Sequence, residues 1–212
     1  GTLAPDGGDY EAANVTPTRR VVEALKSNRG GFVIYLSYVG ASASSSNAYL
    51  RAKGQSEQLL EAGTDQVTVF RCTHIVGPPD AAGKMAEAMI SAPGKPATML
   101  GSGRQRIAPV YIDDVIEAIA QALERRKSGT FDLGGSRTWA LDDFARLLNG
   151  DPNLRIRHLP RWLAGLLAVV TPGLYRPLVE IMCRDSVADP AEAREAFSLE
   201  LTDLEALWRN RP

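Results

Sequence analysis

The sequence predicts an α/β protein with a parallel sheet covered by helices on both faces. The continuous apolar run at 32–36 fits a strand buried on both sides, as in parallel sheets, and 67–70 reads as the next strand. Segments of helical period alternate with them, and loops rich in Gly, Pro, Ser or Asp separate the two kinds. Strand and helix in alternation imply parallel pairing, with ligands bound beyond the carboxyl ends of the strands.

Each element has its own signal. Val21, Val22 and Leu25 give residues 18–26 a helical period, and Asn28-Arg29-Gly30-Gly31 ends it. After the strand 32–36, a polar loop at 41–47 leads into a helix from about 48 to 62, closed by Gly63. The next strand, 67–70, turns away through Gly77-Pro78-Pro79-Asp80. A short helix near 84–91 and a loop at 93–103 precede the strand 109–112. Asp113-Asp114 is read as the cap of a helix carrying Val115, Ile119 and Leu123 on one face. A strand at 130–133 ends at Gly134-Gly135, and 141–148 is helical. From 160 to 208 the pattern is of helices broken by Pro172, Pro177 and Pro190.

Composition narrows the class. The 212 residues are 44% hydrophobic and 23% charged with a net charge of −1, ordinary for a globular protein and no case for a nucleic-acid partner. Cys72, Cys183, His74 and His158 are too scattered for a zinc site, and two distant cysteines make a reducing cytoplasm the default. The most apolar stretch, 162–170, is too short to span a bilayer. Its length allows it to lie on a membrane surface, but the reading preferred is a buried amphipathic helix in a C-terminal lobe that closes over the site, not a membrane anchor.

The chemistry concentrates around one helix. Tyr49 and Lys53 are four residues apart, so both lie on one helix face, where a lysine ammonium would favour the phenolate. Ser37 follows the strand 32–36, at the sheet end that presents catalytic groups, and is expected beside them in an open cleft.

These residues carry a resemblance. Tyr35-Leu36-Ser37, Tyr49-Leu50-Arg51-Ala52-Lys53 with Glu57, and Asn14-Val15 in the first helix are similar, in order and spacing, to the short-chain dehydrogenase/reductase superfamily. Phe70-Arg71-Cys72-Thr73-His74 through Gly77-Pro78, and Gly101-Ser102-Gly103 through Asp113-Asp114-Val115, extend the match. The run Ser44-Ser45-Ser46 resembles the atypical branch that includes the nucleotide-binding accessory subunit of respiratory complex I and its bacterial epimerase/dehydratase-like relatives.

The resemblance implies a Rossmann-type doubly wound sheet binding NAD or NADP. Tyr49 would be the acid/base, Lys53 would bind the cofactor ribose and tune Tyr49, Ser37 would orient substrate, and Asn14 would hold a relay water. Gly1, Leu36, Cys72, Thr73 and His74 would line the cofactor. Pro17, Cys72 and Tyr38 depart from the usual residues, which bears on catalysis and leaves the fold intact. Residues 1–150 would be the C-terminal half of the dinucleotide-binding domain, with segments of a substrate lobe, and 151–212 a mostly helical segment.

No Gly-x-Gly-x-x-Gly run stands between a first strand and helix. By resemblance, roughly 60–80 residues, two βαβ units, belong upstream. NAD(P) binding is therefore expected of the longer parent and weak or absent in these 212 residues. Three readings follow: a cofactor-bound structural, assembly or redox-sensing protein; an active oxidoreductase or sugar-nucleotide epimerase; or a piece inactive by itself. Association with a protein complex or the membrane periphery goes with the first.

Overall fold

The computed structural model describes residues 5–27, 31–171 and 174–210. Asp6–Gly8 forms a 3₁₀ turn and Glu11–Val15 a π turn, which runs into α1 (Thr16–Ser27). Then follow β1 (Val33–Tyr38), α2 (Ala48–Gly63), β2 (Val67–Cys72), β3 (Ile75–Val76), α3 (Lys84–Glu87), β4 (Ala97–Leu100), β5 (Arg106–Ile107) and β6 (Val110–Tyr111). The remainder is α4 (Ile112–Arg125), β7 (Gly129–Leu133), β8 (Trp139–Ala140), α5 (Leu141–Asn149), β9 (Ile156–Leu159), α6 (Arg161–Val170), α7 (Arg176–Met182), α8 (Ala191–Phe197) and α9 (Leu204–Arg209).

β1, β2 and β7 pair in parallel in that order, Val33 opposite Val67 and Thr68 opposite Gly129. Alternation along β2 explains why apolar residues stand on both of its faces. Val67 and Val69 pack with Val22 of α1 and Leu60 of α2, while Phe70 and Cys72 pack with Val115 and Ala118 of α4 and Phe197 of α8. The sheet is thus wound on both faces, and the predicted α/β class holds.

β1 differs from expectation. It has a strand neighbour on one side only among the described residues, so Val33 to Tyr35 are half-buried and Leu36 is 36% exposed. The strand also continues through Ser37 to Tyr38, so Ser37 sits within it rather than after it.

Other boundaries are corrected as well. Tyr111, not an aspartate, occupies the N-cap of α4; Asp113 and Asp114 lie in its first turn. The Asp114 carboxylate instead accepts from the backbone N–H of Thr202 at 3.1 Å and from its hydroxyl at 2.7 Å, tying α4 to the C-terminal segment. Leu123 of α4 is 56% exposed. The loop at 93–103 contains β4, which pairs in parallel with β9, a union no local pattern announces. Pro177 does not break a helix but sits in the first turn of α7, where its missing N–H costs nothing.

The stretch 162–170 is helical, but its face at Trp162 and Leu166 is not buried. α6 packs on α7 and buries Ala164, leaving Trp162 69% and Leu166 55% exposed. Among the described residues, no helix is long and apolar enough to cross a membrane.

Candidate functional site

Asn47 sets the geometry of the site. Its side-chain oxygen accepts from the N–H groups of Tyr49 and Leu50 at 3.1 and 3.2 Å, starting α2 one residue before Tyr49. Its amide donates to the carbonyl of Pro177 at 3.0 Å and to Glu180 at 2.9 Å, docking α7 on the start of α2. The preceding serines support the same turn, for Arg51 donates to the carbonyls of Ser45 and Ser46.

Tyr49 and Lys53 lie together as their spacing requires, yet not in an open cleft. Tyr49, Lys53 and Ser37 are buried to 6%, 5% and 6% exposure. Tyr10 and Tyr38 meet the Tyr49 ring edge-on, and Val15 and Ile181 of α7 share its cluster. α7 rather than α6 therefore covers the phenol.

The expected tuning of Tyr49 by Lys53 is reversed. Burial, reinforced by neighbouring Tyr38, Tyr35, Cys72 and Tyr10, raises the Tyr49 pKa well above the usual phenol range. The Lys53 ammonium lies 6.0 Å from the centre of the Tyr49 ring, but 4.6 Å over that of Tyr35, and it donates to the Leu36 carbonyl at 2.7 Å. Burial lowers the Lys53 pKa to about 8. Glu57, 3% exposed, receives Arg71 from β2 with Nη2 2.6 Å from Oε2.

Ser37 and Tyr35 are two apart on β1, so the pleat turns both toward Lys53 and α2. The Ser37 hydroxyl is buried and has no hydrogen-bond partner. A buried hydroxyl in that state is costly unless a ligand or water completes it, so it suits a group entering beside Lys53.

Asn14 lies in the π turn. Pro17 has no N–H to give the carbonyl of Ala13, and the turn before it is widened, with the N–H of Thr16 donating to Glu11. The Asn14 amide donates to the carbonyl of Tyr10 at 3.1 Å. The Asn14 backbone carbonyl accepts from Thr18 at 2.8 Å and Ser56 at 3.2 Å, filling both lone pairs.

The last residue of β2 and the two that follow it make contacts within the fold. Cys72 is 2% exposed, and burial pushes its thiol up to about 12. The Thr73 hydroxyl donates to the carbonyl of Ala108, and its N–H to Leu133 at 3.1 Å. His74 is pushed down to about 4 by burial, so it is neutral; both its ring nitrogens lie 3.3 Å from the Tyr38 hydroxyl, itself 3.0 Å from Ser186. Gly1 lies outside the described residues.

Sequence reasoning missed Tyr35, Ile181, Ser186 and the capping role of Asn47. Period-two alternation from Ser37 would have found Tyr35, and the cap preference for Asn would have found Asn47. No local signal marks Ser186, which is 148 positions from its partner Tyr38.

The sheet is parallel and flanked by helices on both faces, with Ser37 and Lys53 near the end of β1. The model of the NAD dependent epimerase/dehydratase family matches residues 5–134. The chain belongs to this family.

Two curated relatives of this family member are respiratory subunits. It is 27% identical over 168 residues to NADH dehydrogenase [ubiquinone] 1 alpha subcomplex subunit 9, mitochondrial, of Arabidopsis thaliana, covering 74% of this chain and 40% of that one. It is 22% identical over 206 residues to the mitochondrial NADH-ubiquinone oxidoreductase 40 kDa subunit of Neurospora crassa, covering 92% and 54%. The chain spans about half the length of these relatives.

Among solved structures, UDP-glucuronic acid 4-epimerase of Bacillus cereus, in complex with UDP-glucuronic acid and NAD, superposes with a TM-score of 0.67 at 19% identity, over 95% of this chain and 67% of that one. MoeE5 in complex with UDP-glucose and NAD gives 0.71 at 17%, over 95% and 70%. These likenesses bear out the Rossmann-type fold.

Proposed function

We propose that this epimerase/dehydratase-family chain forms the nicotinamide-ribose side of an NAD(P) site, and that the cofactor-bound protein is a structural, assembly or redox-sensing subunit. The observation that carries this reading is the state of Tyr49. A phenol 6% exposed, with its pKa raised and its lysine directed to a backbone carbonyl, is poorly disposed to exchange protons at neutral pH.

The residues present fit one end of the cofactor. Lys53 would hold the ribose, and the partnerless Ser37 hydroxyl would complete its hydrogen bonding against it. Leu36, 36% exposed beside them, offers apolar surface. Bound, the dinucleotide would supply a hydride donor or acceptor; Tyr49 would hold its proton, and Ile181 with Tyr10 would keep water away. Thr73 and His74 shape the floor through their bonds to Ala108 and Tyr38.

The pyrophosphate end needs free N–H groups at a helix start, and the 212 residues contain no glycine-rich run of that kind after a strand. Two or three hydrogen bonds at about 1 kcal/mol each do not offset an association cost of about 4–15 kcal/mol. NAD(P) binding by these residues alone is therefore weak. Membership of a larger protein complex, in the cytoplasm or beside the inner membrane, belongs to the same reading, which the respiratory relatives support.

A second reading, turnover of a carbonyl, an alcohol or a sugar nucleotide, draws on the trio Ser37, Tyr49 and Lys53 standing around the end of β1. It requires α7 to move so that substrate reaches Tyr49. Calorimetry with NADH and NADPH separates the possibilities. The first reading expects millimolar or weaker binding by the 212 residues and no substrate-dependent change in nicotinamide absorbance. Substrate-dependent cofactor oxidation abolished by Tyr49→Phe would establish the second.

A further inference from the structure

The helix α6, Arg161-Trp162-Leu163-Ala164-Gly165-Leu166-Leu167-Ala168-Val169-Val170, carries one charge and yet is not buried. Trp162 is 69% exposed, Leu166 one turn later is 55% and Leu167 39%. A side chain added at Gly165 would meet no atom within 4 Å, so the helix is open on that face too. Trp162, Gly165 and Leu166 form one wall of a groove of about 470 Å³, and Arg176, Val179 and Glu180 of α7 the other, with Arg161 at its end.

The charge around this apolar strip has one dominant sign. Arg161 and Arg176 border the groove, and Arg155 and Arg157, both exposed, lie on the segment that leads into α6. The single acid in the lining, Glu180, is 3.7 Å from Arg161 and receives the Asn47 amide at 2.9 Å. An exposed Trp-Leu strip bordered by arginines has the composition of a helix lying in the headgroup region, apolar side chains entering the acyl boundary and guanidinium groups meeting lipid phosphates.

A second copy of the chain fits this surface less well. Three exposed side chains make a small patch, whereas a stable specific interface needs about 800 Å² per partner. An apposed copy would also bring its own arginines against these. A lipid surface requires no matching relief, and its negative charge complements the border.

We propose that the α6 face, Trp162 and Leu166 bordered by Arg161 and Arg176, docks the protein peripherally on a membrane surface rich in anionic phospholipid. None of the cofactor-facing residues takes part, so this inference and the cofactor reading stand or fall separately.

The test is flotation of the full chain with vesicles of phosphatidylcholine containing one-third phosphatidylglycerol, at low and high salt, against pure phosphatidylcholine. Binding to the anionic vesicles alone, weakened by salt, is the expected result. Trp162→Ser with Leu166→Ser should abolish it with an unchanged circular dichroism spectrum. Arg161→Gln with Arg176→Gln should weaken it by about 25-fold, roughly fivefold per arginine, and flatten the salt dependence. Failure to float with anionic vesicles, or flotation undiminished by the Trp162/Leu166 pair, overturns the proposal. So does a wild-type dimer in sedimentation velocity that the same pair converts to monomer without affecting lipid binding, which assigns the face to a second copy.

Discussion

Lys53 donates to the carbonyl of Leu36 at 2.7 Å, joining the middle of α2 to β1. This contact turns the ammonium toward the Tyr35 ring and away from Tyr49, and it is made almost without water, for Lys53 is 5% exposed. The consequence is a lysine whose charge opposes folding.

The sign follows from linkage. The folded pKa is lowered to about 8, against about 10.4 in an unfolded chain. Below the lower value Lys53 is charged in both states and the full penalty is present. Between the two the unfolded chain binds more protons, so stability rises with pH, and above the upper value the penalty has gone. Urea titrations from neutral to alkaline pH should show wild type gaining about 2–3 kcal/mol relative to Lys53→Met. A pH-independent difference would mean that Lys53 titrates normally.

The pair Arg71–Glu57 should respond asymmetrically. Arg71→Met leaves a carboxylate 3% exposed with its cation gone and is expected to cost about 3 kcal/mol. Glu57→Gln keeps the shape and leaves Arg71, whose side chain is 34% exposed, able to reach water, at about 1–2 kcal/mol. Chemical denaturation of both variants checks the order, and equal losses would contradict it.

Two glycines should behave oppositely. A methyl at Gly54 would lie 2.3 Å from the carbonyl carbon of Ser42 and 2.4 Å from the nitrogen of Ala43, backbone that cannot yield without moving the loop before Tyr49. Gly54→Ala should cost more than about 2 kcal/mol. Gly165→Ala, with open space around it in α6, should gain up to about 1 kcal/mol from helix propensity. Thermal unfolding of the two variants tests both directions.

Thiol labelling should distinguish the cysteines. Cys72 is buried with its pKa pushed up to about 12, while Cys183 is partly exposed and raised less far. Iodoacetamide on the native protein should modify Cys183 at least about tenfold faster, since only an accessible thiolate reacts. Peptide mass spectrometry would show it, and early modification of Cys72 would indicate that the sheet opens.

Much of this was legible in the chain itself. The apolar segments led to β1 and β2 because sheet strands packed against helices are rich in apolar residues, and Tyr49 and Lys53 shared a face because helical geometry is local. Local signals also misled. The Asp113-Asp114 pair looked like a cap, but Asp114 is drawn to Thr202, 88 positions away. The apolar stretch 162–170 looked buried because composition reports hydrophobicity and not whether a partner exists to cover it.

What the sequence by itself determined is the class of fold, the family through its spaced motifs, and the shared helix face of Tyr49 and Lys53. Only the tertiary structure decided their condition. Ile181 and Tyr10 close over Tyr49, desolvation outweighs the nearby ammonium, and Lys53 turns to Leu36. The reason is physical: periodicity is set within a few residues, whereas burial and pKa depend on what the rest of the chain brings alongside.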